Sequence, residues 1–588
     1  MPEYHSPNQE PASNRMMLVI LFTFIFLIGF QFIYSKYGPK KPAEPAQQQA
    51  QPQQAAVPAA PVNTQATAAP ATSAPVAVGT RQASSETETV IENDLYRITF
   101  TNRGAQVKSW VLKKFDDEKR QPLDLVNVPA AKEHGYPLSL FTYDQGLKDK
   151  LNGALYVTSV KGTQPSPTDV TFEYAEGNLS VRKTFHFDDS YIVKTDIEVV
   201  QNGSAVQAFP AWPSGFGDTA SAASFAASTI DFDNGSKIER LAIKKVSTGA
   251  TITGPLAWAG PVDQYFAAIF LPDNPSNAAL VTQRNQVRIP KNPDKPDPND
   301  VVAVDVLGGS VGNLDGHTHQ RIFVGPKALD VLASIHPVLA PGQTETTDLR
   351  PLIDFGWFSF ISRPLFAALR WTHHHVTSNW GWAIILLTVV INLLLLPLRI
   401  TSMKSALKTQ KIQPQINAVK DKYKKYSMRD PRRQEMNQEI AALMKTEGVN
   451  PAGGCLPLLI QFPFLVAFYR LLGNTIELRH ASFLYLQDLS APDPYHIMPI
   501  LIIVTTFITQ KMTPTGGMDP QQQKVMNLMM PVMLGVISWN LSSGLCLYWI
   551  IGNIMAMLMQ VGMNRTSMGA EMRQIAEKRA RKQALKKA

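Results

Sequence analysis

The stretch from Asn450 to Leu472 places a polar amide and a proline inside an apolar run. It opens with Pro and Gly residues that break helices, and Gln461 then precedes Pro463 by two positions. An amide donates and accepts hydrogen bonds, and membrane spans normally exclude it unless it meets protein or water. Proline is tolerated in a span where neighbouring groups satisfy the freed backbone carbonyl. The pair predicts a span that faces protein or water on one side.

Residues that could support catalysis or bind a metal lack the spacing that such chemistry needs. Consecutive helical side chains point ~100° apart, so the run His373–His375 does not converge on a metal. Four histidines earlier in the chain sit in no acid/base pattern; they are His134, His186, His317 and His319. No GxxxxGK[ST] phosphate loop occurs, and two cysteines cannot form a disulfide framework. We expect no catalytic residue, no metal and no other cofactor.

The elements that hold these residues are apolar runs separated by polar segments. Residues 16–34 could cross ~30 Å of hydrocarbon at ~1.5 Å per residue. The run is longer than a signal-peptide core and no small-x-small site follows it, which favours an uncleaved anchor over a signal peptide. Further spans are predicted at 378–398, 454–472, 497–511, 525–540 and 545–563, of which 497–511 and 525–540 are short.

A chain of 588 residues exceeds one compact core, so several units are expected. Residues 1–15 precede the anchor, and residues 35–85 are rich in Ala, Pro and Gln, which is typical of a disordered linker. Residues 86–345 contain many short runs with period-two alternation between Gly, Pro and Asn turns. This pattern predicts one large antiparallel β-sandwich. No helical pattern of comparable strength occurs before about residue 326.

The second half of the chain shows helical periodicity. Residues 355–376 have apolar side chains at helical spacing and flanking tryptophans, which favours an amphipathic helix in the membrane interface over a soluble packing helix. Residues 399–449 contain two amphipathic patterns, and Asp430 followed by Pro431 between them is a helix-start signal. We expect a helical hairpin outside the bilayer.

The charge distribution orients these spans. Residues 399–447 have a net charge of +7, and the tail 564–588 has a net charge of +6. Basic segments flank spans on the cytoplasmic side, and four spans between the two segments keep both on that side. The loop 473–496 and the sandwich then lie outside, while the loop 512–524 and the N-terminus lie inside. Lys36, Lys40 and Lys41 after the first span oppose this bias, but the two large basic segments outweigh them.

An ordered set of motifs over 355–563 resembles the YidC family of bacterial membrane-protein insertases, in its Gram-negative form with a large periplasmic domain. The residues that carry the resemblance are Asn450-Pro451, Gly453-Gly454-Cys455, Pro457 to Pro463, Asp488-Leu489-Ser490, Asp493-Pro494-Tyr495, Gln510-Lys511-Met512, Pro531, Ser543-Gly544-Leu545 and Leu547-Tyr548. The resemblance implies a multi-pass α-helical membrane protein. It would have a five-helix insertase core, an N-terminal anchor and a periplasmic all-β super-sandwich similar to sugar-mutarotase folds.

The resemblance also implies a mechanism in which a wet groove, open to cytoplasm and lipid, lowers the cost of moving polar residues through hydrocarbon. Much of the family has an arginine midway along the first core span, whereas here Asn392 takes that position. We therefore expect a groove that forms hydrogen bonds but is less positive at mid-depth. Arg399 at the cytoplasmic rim is better explained as an anchor that snorkels.

The predicted groove residues are Thr388, Asn392, Gln461, Thr505, Thr506, Tyr548, Trp549 and Asn553. For each of them, a hydrogen bond between helices or an interface aromatic within the bundle is the alternative. The expected partners are nascent membrane proteins, membrane lipid, Sec translocon components and the ribosome, with no small-molecule substrate. The tail cations expected to face the ribosome are Arg565, Arg573, Lys578, Arg579, Arg581 and Lys582, and anionic lipid is the alternative partner for them.

Two other functions compete with insertion. The mutarotase-like sandwich could belong to a periplasmic sugar-active enzyme, but we place no catalytic histidine with a partnered carboxylate in it. A transporter would show repeated halves with interrupted spans, and no such repeat is detected. The sequence therefore predicts a non-enzymatic insertase and chaperone of the bacterial inner membrane, acting alone or with the Sec translocon.

Overall fold

The computed structural model describes residues 79–219, 221–291, 297, 299–339, 348–426, 430–449, 456–512, 520–567, 569–570 and 574. The predicted N-terminus, the anchor 16–34 and nearly all of the linker 35–85 lie outside these residues. Most of the basic tail also lies outside them. In the described chain, strands occupy the first half and long helices the second.

The first half is an all-β domain of three sheets. Its strands are β1 (Glu88–Glu92), β2 (Tyr96–Thr101), β3 (Gln106–Asp116), β4 (Pro122–Asp124), β5 (Leu140–Phe141), β6 (Val157–Thr158), β7 (Gly162–Pro165), β8 (Thr168–Glu176), β9 (Leu179–Phe187), β10 (Ile192–Gln201), β11 (Ser204–Ala205), β12 (Phe209–Trp212), β13 (Thr229–Asp233), β14 (Ile238–Ala242), β15 (Thr251–Thr253), β16 (Trp258–Val262), β17 (Phe266–Pro272), β18 (Ala278–Pro290), β19 (Val301–Asn313) and β20 (His317–Pro326). A ten-stranded sheet has the order β14-β13-β16-β17-β20-β10-β9-β8-β6, with β11 paired to β10. Two five-stranded sheets have the orders β4-β3-β2-β1-β7 and β15-β18-β19-β12-β5.

The alternation in the sequence determines which side of each strand is buried. Along β9, alternate side chains point into the core, namely Leu179, Val181, Lys183, Phe185 and Phe187, while the side chains between them are more exposed. The sheet that contains β2 packs against the ten-stranded sheet through Phe100, whose ring centroid is 5.6 and 5.2 Å from those of Phe172 and Phe185. The predicted β-sandwich is therefore confirmed, although β1 and β7 pair in parallel and not antiparallel.

Short helices interrupt this domain, and none of them is marked in the sequence by a helical pattern comparable in strength with the strand alternation. They are α1 (Val128–His134), α2 (Gln145–Gly153) and α3 (Ala222–Ala226), and α4 (Leu329–Ala333) follows the last strand. Side chains of Asn127, Asp144 and Ser221 cap the first three by accepting a backbone N–H bond. These helices have at most nine residues, too few for a period of 3.6 to stand out.

A lysine lies at the centre of the sandwich with no exposed surface. The Lys183 ammonium donates three hydrogen bonds to backbone carbonyls, to Gly104 at 2.8 Å, Ala105 at 3.0 Å and Leu138 at 2.8 Å. Ala105 and Leu138 have φ values of 47° and 63°, which are unfavourable for residues with a β-carbon. Burial lowers the pKa of Lys183 to about 7, while the three acceptors match the three N–H bonds of the charged form. Lys183 therefore fastens two strained turns to strand β9.

The second half is helical. Its helices are α5 (Ser359–His375), α6 (Trp380–Leu394), α7 (Leu396–Lys422), α8 (Arg432–Thr446), α9 (Leu456–Asn474), α10 (Ile497–Met512), α11 (Pro520–Ser538) and α12 (Ser543–Asn564). Residues 520–529 of α11 belong by their contacts to a separate compact unit. Helix α5 lies in the segment predicted as interfacial and buries Leu365 and Leu369, while Trp357 and Trp371 near its ends are exposed.

Length and hydropathy qualify few of the described helices as complete spans. Helix α12 could cross a membrane by itself, with a mean hydropathy of 1.6. Helices α6 and α7 meet the same criterion only when taken together, and they are bent by 50° at Leu395 between them. Helix α10 and the part Val525–Ser538 of α11 are apolar but shorter.

Helices α7 and α8 pack as a pair through the two apolar patterns found in the sequence. Ile412 and Ile416 of α7 form a small core with Val449, and Ile440 and Leu443 of α8 pack against it. Asp430 accepts the backbone N–H of Arg432 at 2.9 Å, so it caps the start of α8. This core is separate from the main core of the molecule.

Polar contacts join the sandwich to the last turn of α9 and to the loop that follows it. The Gln264 amide donates to the carbonyl of Gly473 in that last turn at 2.6 Å. In the loop, the Arg479 guanidinium lies over the rings of Tyr265 and Phe266, 5.6 and 5.7 Å from their centroids. Both contacts start from the β16–β17 turn region, so they connect the sandwich to the helical part of the chain.

Replacement of Lys183 by Met is expected to lower the stability of the sandwich by about 3–5 kcal/mol, because it leaves three buried carbonyls without donors. The melting temperature of the full chain in detergent, followed by tryptophan fluorescence, should fall by at least about 6 °C. Lys194→Met is the matched control, because Lys194 is exposed on the neighbouring strand β10. Equal melting temperatures for the two variants would contradict this role of Lys183.

Candidate functional site

The candidate residues on helices α6, α10 and α12 lie in one apolar bundle. Helix α12 packs against α6, α9 and α10, and α6 also packs against α5. Close packing at the start of α6 requires Gly381, because a β-carbon there would meet the Phe483 ring at 2.1 Å. This contact with the loop after α9 fixes the first turn of α6, which is at the other end of the helix from Asn392.

Thr388 and Asn392 lie one turn apart on α6 and are both buried, with 0% and 4% of their surface exposed. The Thr388 hydroxyl donates to the Ile384 carbonyl at 2.6 Å. The Asn392 amide donates to the Thr388 carbonyl at 2.8 Å. Both side chains therefore fold back onto their own helix, which satisfies a donor in apolar surroundings and keeps a polar pair inside the bundle.

Asn553 joins two helices. Its amide nitrogen on α12 donates to the hydroxyls of Thr505 and Thr506 on α10, each at 3.0 Å. The Thr505 hydroxyl in turn donates to the Leu501 carbonyl at 2.7 Å. These three candidates thus form an interhelical hydrogen-bond cluster, which is the structural alternative named for them above.

Tyr548 lies on α12 against α9, where its ring stacks on Phe468 with centroids 4.2 Å apart. Trp549 beside it is half-buried. Arg399, near the start of α7, is half-buried and interacts electrostatically with Tyr548. The predicted rim cation is therefore close to one predicted groove aromatic.

Gln461 stands apart from the other candidates. It lies on α9, which contains Pro463 in its interior, and its side chain is half-buried. Among the described residues no hydrogen bond links it to Asn392, Tyr548 or Asn553. Its amide is thus available to a partner that enters beside α9. The missing N–H of Pro463 also leaves a carbonyl one turn earlier without its helical donor.

Of the predicted tail cations, Arg565 lies within the described chain and ends helix α12. Arg573, Lys578, Arg579, Arg581 and Lys582 lie outside the described residues. Their role as a ribosome-facing patch therefore stays a prediction.

No role for Asp493 was predicted from the sequence, although this residue begins the Asp-Pro-Tyr motif. Its carboxylate accepts the Met498 N–H at 2.7 Å, the Tyr485 hydroxyl at 2.8 Å and the Tyr495 N–H at 3.0 Å. It therefore caps helix α10 and shapes the loop before it. An acid followed by proline just before an apolar run was the signal that could have indicated this cap.

Histidines of the sandwich do have carboxylate partners, contrary to the expectation from sequence. His317 lies 3.0 Å from Asp196, and His319 lies 3.4 Å from Asp273. The hydrogen bond that His317 donates to the Asp196 carboxylate raises the pKa of His317. All four side chains are well exposed on an open face of strands, and no histidine lines the three clefts resolved in the described chain. They resemble surface ion pairs more than a catalytic site.

The histidine run at the end of α5 gives no metal site. His373 stacks on Trp380 with centroids 3.9 Å apart, and no group of three metal-binding side chains occurs in the part of the chain that the structure describes.

Known proteins resemble the two halves of the chain. The family model described as YidC periplasmic domain matches residues 88–368, and the one described as 60Kd inner membrane protein matches residues 371–571. A membrane protein insertase YidC of Geobacter sulfurreducens is 32% identical, covering 81% of this chain and 86% of its own. One of Syntrophus aciditrophicus is 30% identical, covering 94% of this chain and 99% of its own.

A solved structure of an active YidC insertase with its first transmembrane domain resolved is also similar. It has 19% identity and a TM-score of 0.34, and the match covers 83% of this chain and 95% of that one.

A double-mutant cycle can test the cluster of Asn553. Asn553→Ala and Thr506→Val remove the same hydrogen bond, so their effects on unfolding should couple by about 0.5–1.5 kcal/mol. The measurement is unfolding of the full chain in mixed micelles with increasing SDS. Thr388→Val is the control partner, because its hydroxyl bonds its own helix, and it should couple to Asn553→Ala by less than about 0.5 kcal/mol. Equal coupling in both cycles would contradict the cluster.

Proposed function

Because the chain belongs to the YidC family of membrane protein insertases, we propose that polar side chains of α6, α9, α10 and α12 guide nascent membrane proteins into the lipid. The family is one of insertases and not of catalytic enzymes, and it is an inner-membrane family with a periplasmic domain. The observation that carries the proposal is the set of polar side chains inside an apolar bundle of packed helices. Thr388 and Asn392 on α6 are buried, and Asn553 on α12 is half-buried.

The proposed topology has five core spans, an N-terminal anchor at 16–34 and both termini in the cytoplasm. Exposed apolar side chains support a lipid-facing side of α10, where Ile497, Ile500, Val504 and Ile508 recur at helical spacing opposite the buried Thr506. The net charges of the α7–α8 segment and of the tail support their cytoplasmic location. In this arrangement the 473–496 loop and the sandwich lie in the periplasm.

The proposed mechanism lowers the cost of moving polar residues past hydrocarbon. A polar flank of the client would exchange hydrogen bonds with Asn392, Thr388 and Gln461, while its apolar segment moves sideways into lipid. Opening such a path requires α6 and α12 to part, because Asn392 is buried and bonded to its own helix. The groove would act by hydrogen bonding more than by charge, since Asn392 is neutral and the cation Arg399 lies seven residues further along the chain, at the rim.

The proposed partners are translating ribosomes and, for some clients, the Sec translocon. Ribosomal RNA is densely negative, and the basic tail and the α7–α8 pair match it in charge. The helices α7 and α8 hold their basic side chains on a small core of their own, so they can meet a large partner without distorting the bundle.

A photoreactive residue at position 392 should capture a nascent two-span client during insertion, because the proposed path passes α6 at that depth. Position 390 is the matched control on the same helix, because Val390 is 50% exposed and expected to face lipid. Crosslinking to client should be several-fold stronger at 392 than at 390. If position 392 never captured a client while 390 did, the proposed path would be wrong.

Deletion of residues 565–588 should abolish salt-sensitive co-sedimentation of the full chain with ribosomes, because it removes eight cationic side chains. A chain with the same tail residues in scrambled order is the control and should still bind, since the attraction is electrostatic. Unchanged ribosome binding after deletion, with lost binding to anionic vesicles, would assign the tail to lipid instead.

A further inference from the structure

A cleft of about 430 Å³ lies where the sandwich meets the helical region. We call it the junction cleft. The sandwich contributes Asp231, Asp263 and Lys327 to its wall, and the helical region contributes Arg470 at the end of α9 and the turn 540–542 before α12. No candidate residue of the insertion path lines it, so it is separate from the site described above.

Lys327 is a buried cation with spare hydrogen-bonding capacity. It is 5% exposed, and its ammonium donates to the Asp263 carbonyl at 2.8 Å, the hydrogen bond recorded for it among the described residues. Lys183, equally buried in the same domain, donates to three carbonyls. Lys327 therefore has two further N–H bonds without an acceptor among the described residues, beside an open polar cavity. Burying an ammonium with unused N–H bonds costs free energy unless the cavity supplies acceptors.

Three of the four carboxylate oxygens of Asp231 and Asp263 accept hydrogen bonds, whereas Asp263 Oδ2 is buried and has no hydrogen-bond partner among the described residues. Asp231 accepts from Arg240 Nε at 3.0 Å and from the Thr229 hydroxyl at 2.7 Å. Asp263 accepts the N–H groups of Tyr265 and Phe266 at 2.8 and 2.6 Å. Burial raises the pKa of Asp218, and the neighbouring Asp263 carboxylate raises it further.

A second donor stands at the mouth of the cleft. Arg470 is half-exposed, and its guanidinium is 3.8 Å from the Asp354 carboxylate, beyond hydrogen-bond distance. The Asp354 carboxylate instead accepts the Gly356 N–H at 2.9 Å. Arg470 therefore forms a loose ion pair with Asp354 without a hydrogen bond, and its N–H fork can still bind an anion in bidentate geometry. Tyr469 in the wall and Trp539 beside it are exposed, as is typical of aromatic residues at headgroup depth in the topology proposed above.

We propose that the junction cleft binds a phosphate group, with Arg470 holding it at the mouth and Lys327 donating to it from inside. Phosphate presents several acceptor oxygens, which match a guanidinium fork and a separate ammonium. The phosphate belongs to a lipid headgroup or to a soluble phosphate compound, and the two sources share this chemistry. A lipid held here would contact the sandwich and the helices at once and so stabilise their attachment.

The test is binding of dihexanoyl-phosphatidylglycerol, a short-chain soluble phospholipid, to the full chain in detergent, measured by native mass spectrometry. Inorganic phosphate and dihexanoylglycerol, which lacks phosphate, are the comparison probes. Arg470→Gln and Lys327→Met should each weaken phospholipid binding about tenfold or more. Lys161→Gln, an exposed lysine outside the cleft, should leave it unchanged. Arg470 is half-exposed, so its variant is expected to fold even if Lys327→Met does not.

Binding of the phospholipid with competition by inorganic phosphate supports a lipid source, and binding of inorganic phosphate alone supports a soluble one. Equal binding of phospholipid and dihexanoylglycerol would overturn the proposal, because the cleft would then recognise acyl chains. Phospholipid binding that Arg470→Gln leaves unchanged would also overturn it. None of these outcomes depends on whether the chain inserts clients.

Discussion

In the proposed topology, polar groups among these helices need partners inside the protein, because hydrocarbon offers none. The structure provides such partners in three ways. Thr388 and Asn392 bond their own helix, Asn553 bonds the neighbouring helix, and Asp493 caps α10 at its start. In the proposed mechanism, these bonds are the ones that a client would exchange. The contacts that stabilise the bundle would then also provide the chemistry of insertion.

A buried cation, Lys327, lies where the sandwich meets the helical region. Lys183 shows how the fold stabilises a buried cation, by surrounding it with three carbonyls. Lys327 at the junction donates to one carbonyl and not to three. Close to it, Gln264 bonds the last turn of α9, and Arg479 of the following loop packs on the sandwich. The attachment therefore has direct polar contacts at its edges, while its centre is the open, polar junction cleft.

The period-two alternation was sufficient to predict the sandwich, because each strand has one buried face. The helical hairpin cores at Ile412 and Ile416 followed from their spacing in the same way. Long-range pairs could not be predicted, since strands β10 and β20 meet across more than 100 residues and bring His317 to Asp196. The partner of Asn553 could not be predicted for the same reason. Residue spacing shows which face of a helix is polar but not which residues of another helix pack against that face.

The central claim is that Asn392 and Gln461 serve insertion by hydrogen bonding and not by charge. Its most direct test is rescue of cells depleted of their own insertase, scoring membrane insertion of a small two-span client by protease protection. Asn392→Ala and Gln461→Ala should each reduce insertion several-fold, with a larger loss when combined, while Asn392→Arg should restore insertion no better than the natural residue. Full insertion by the double alanine variant, at equal protein level, would contradict the account.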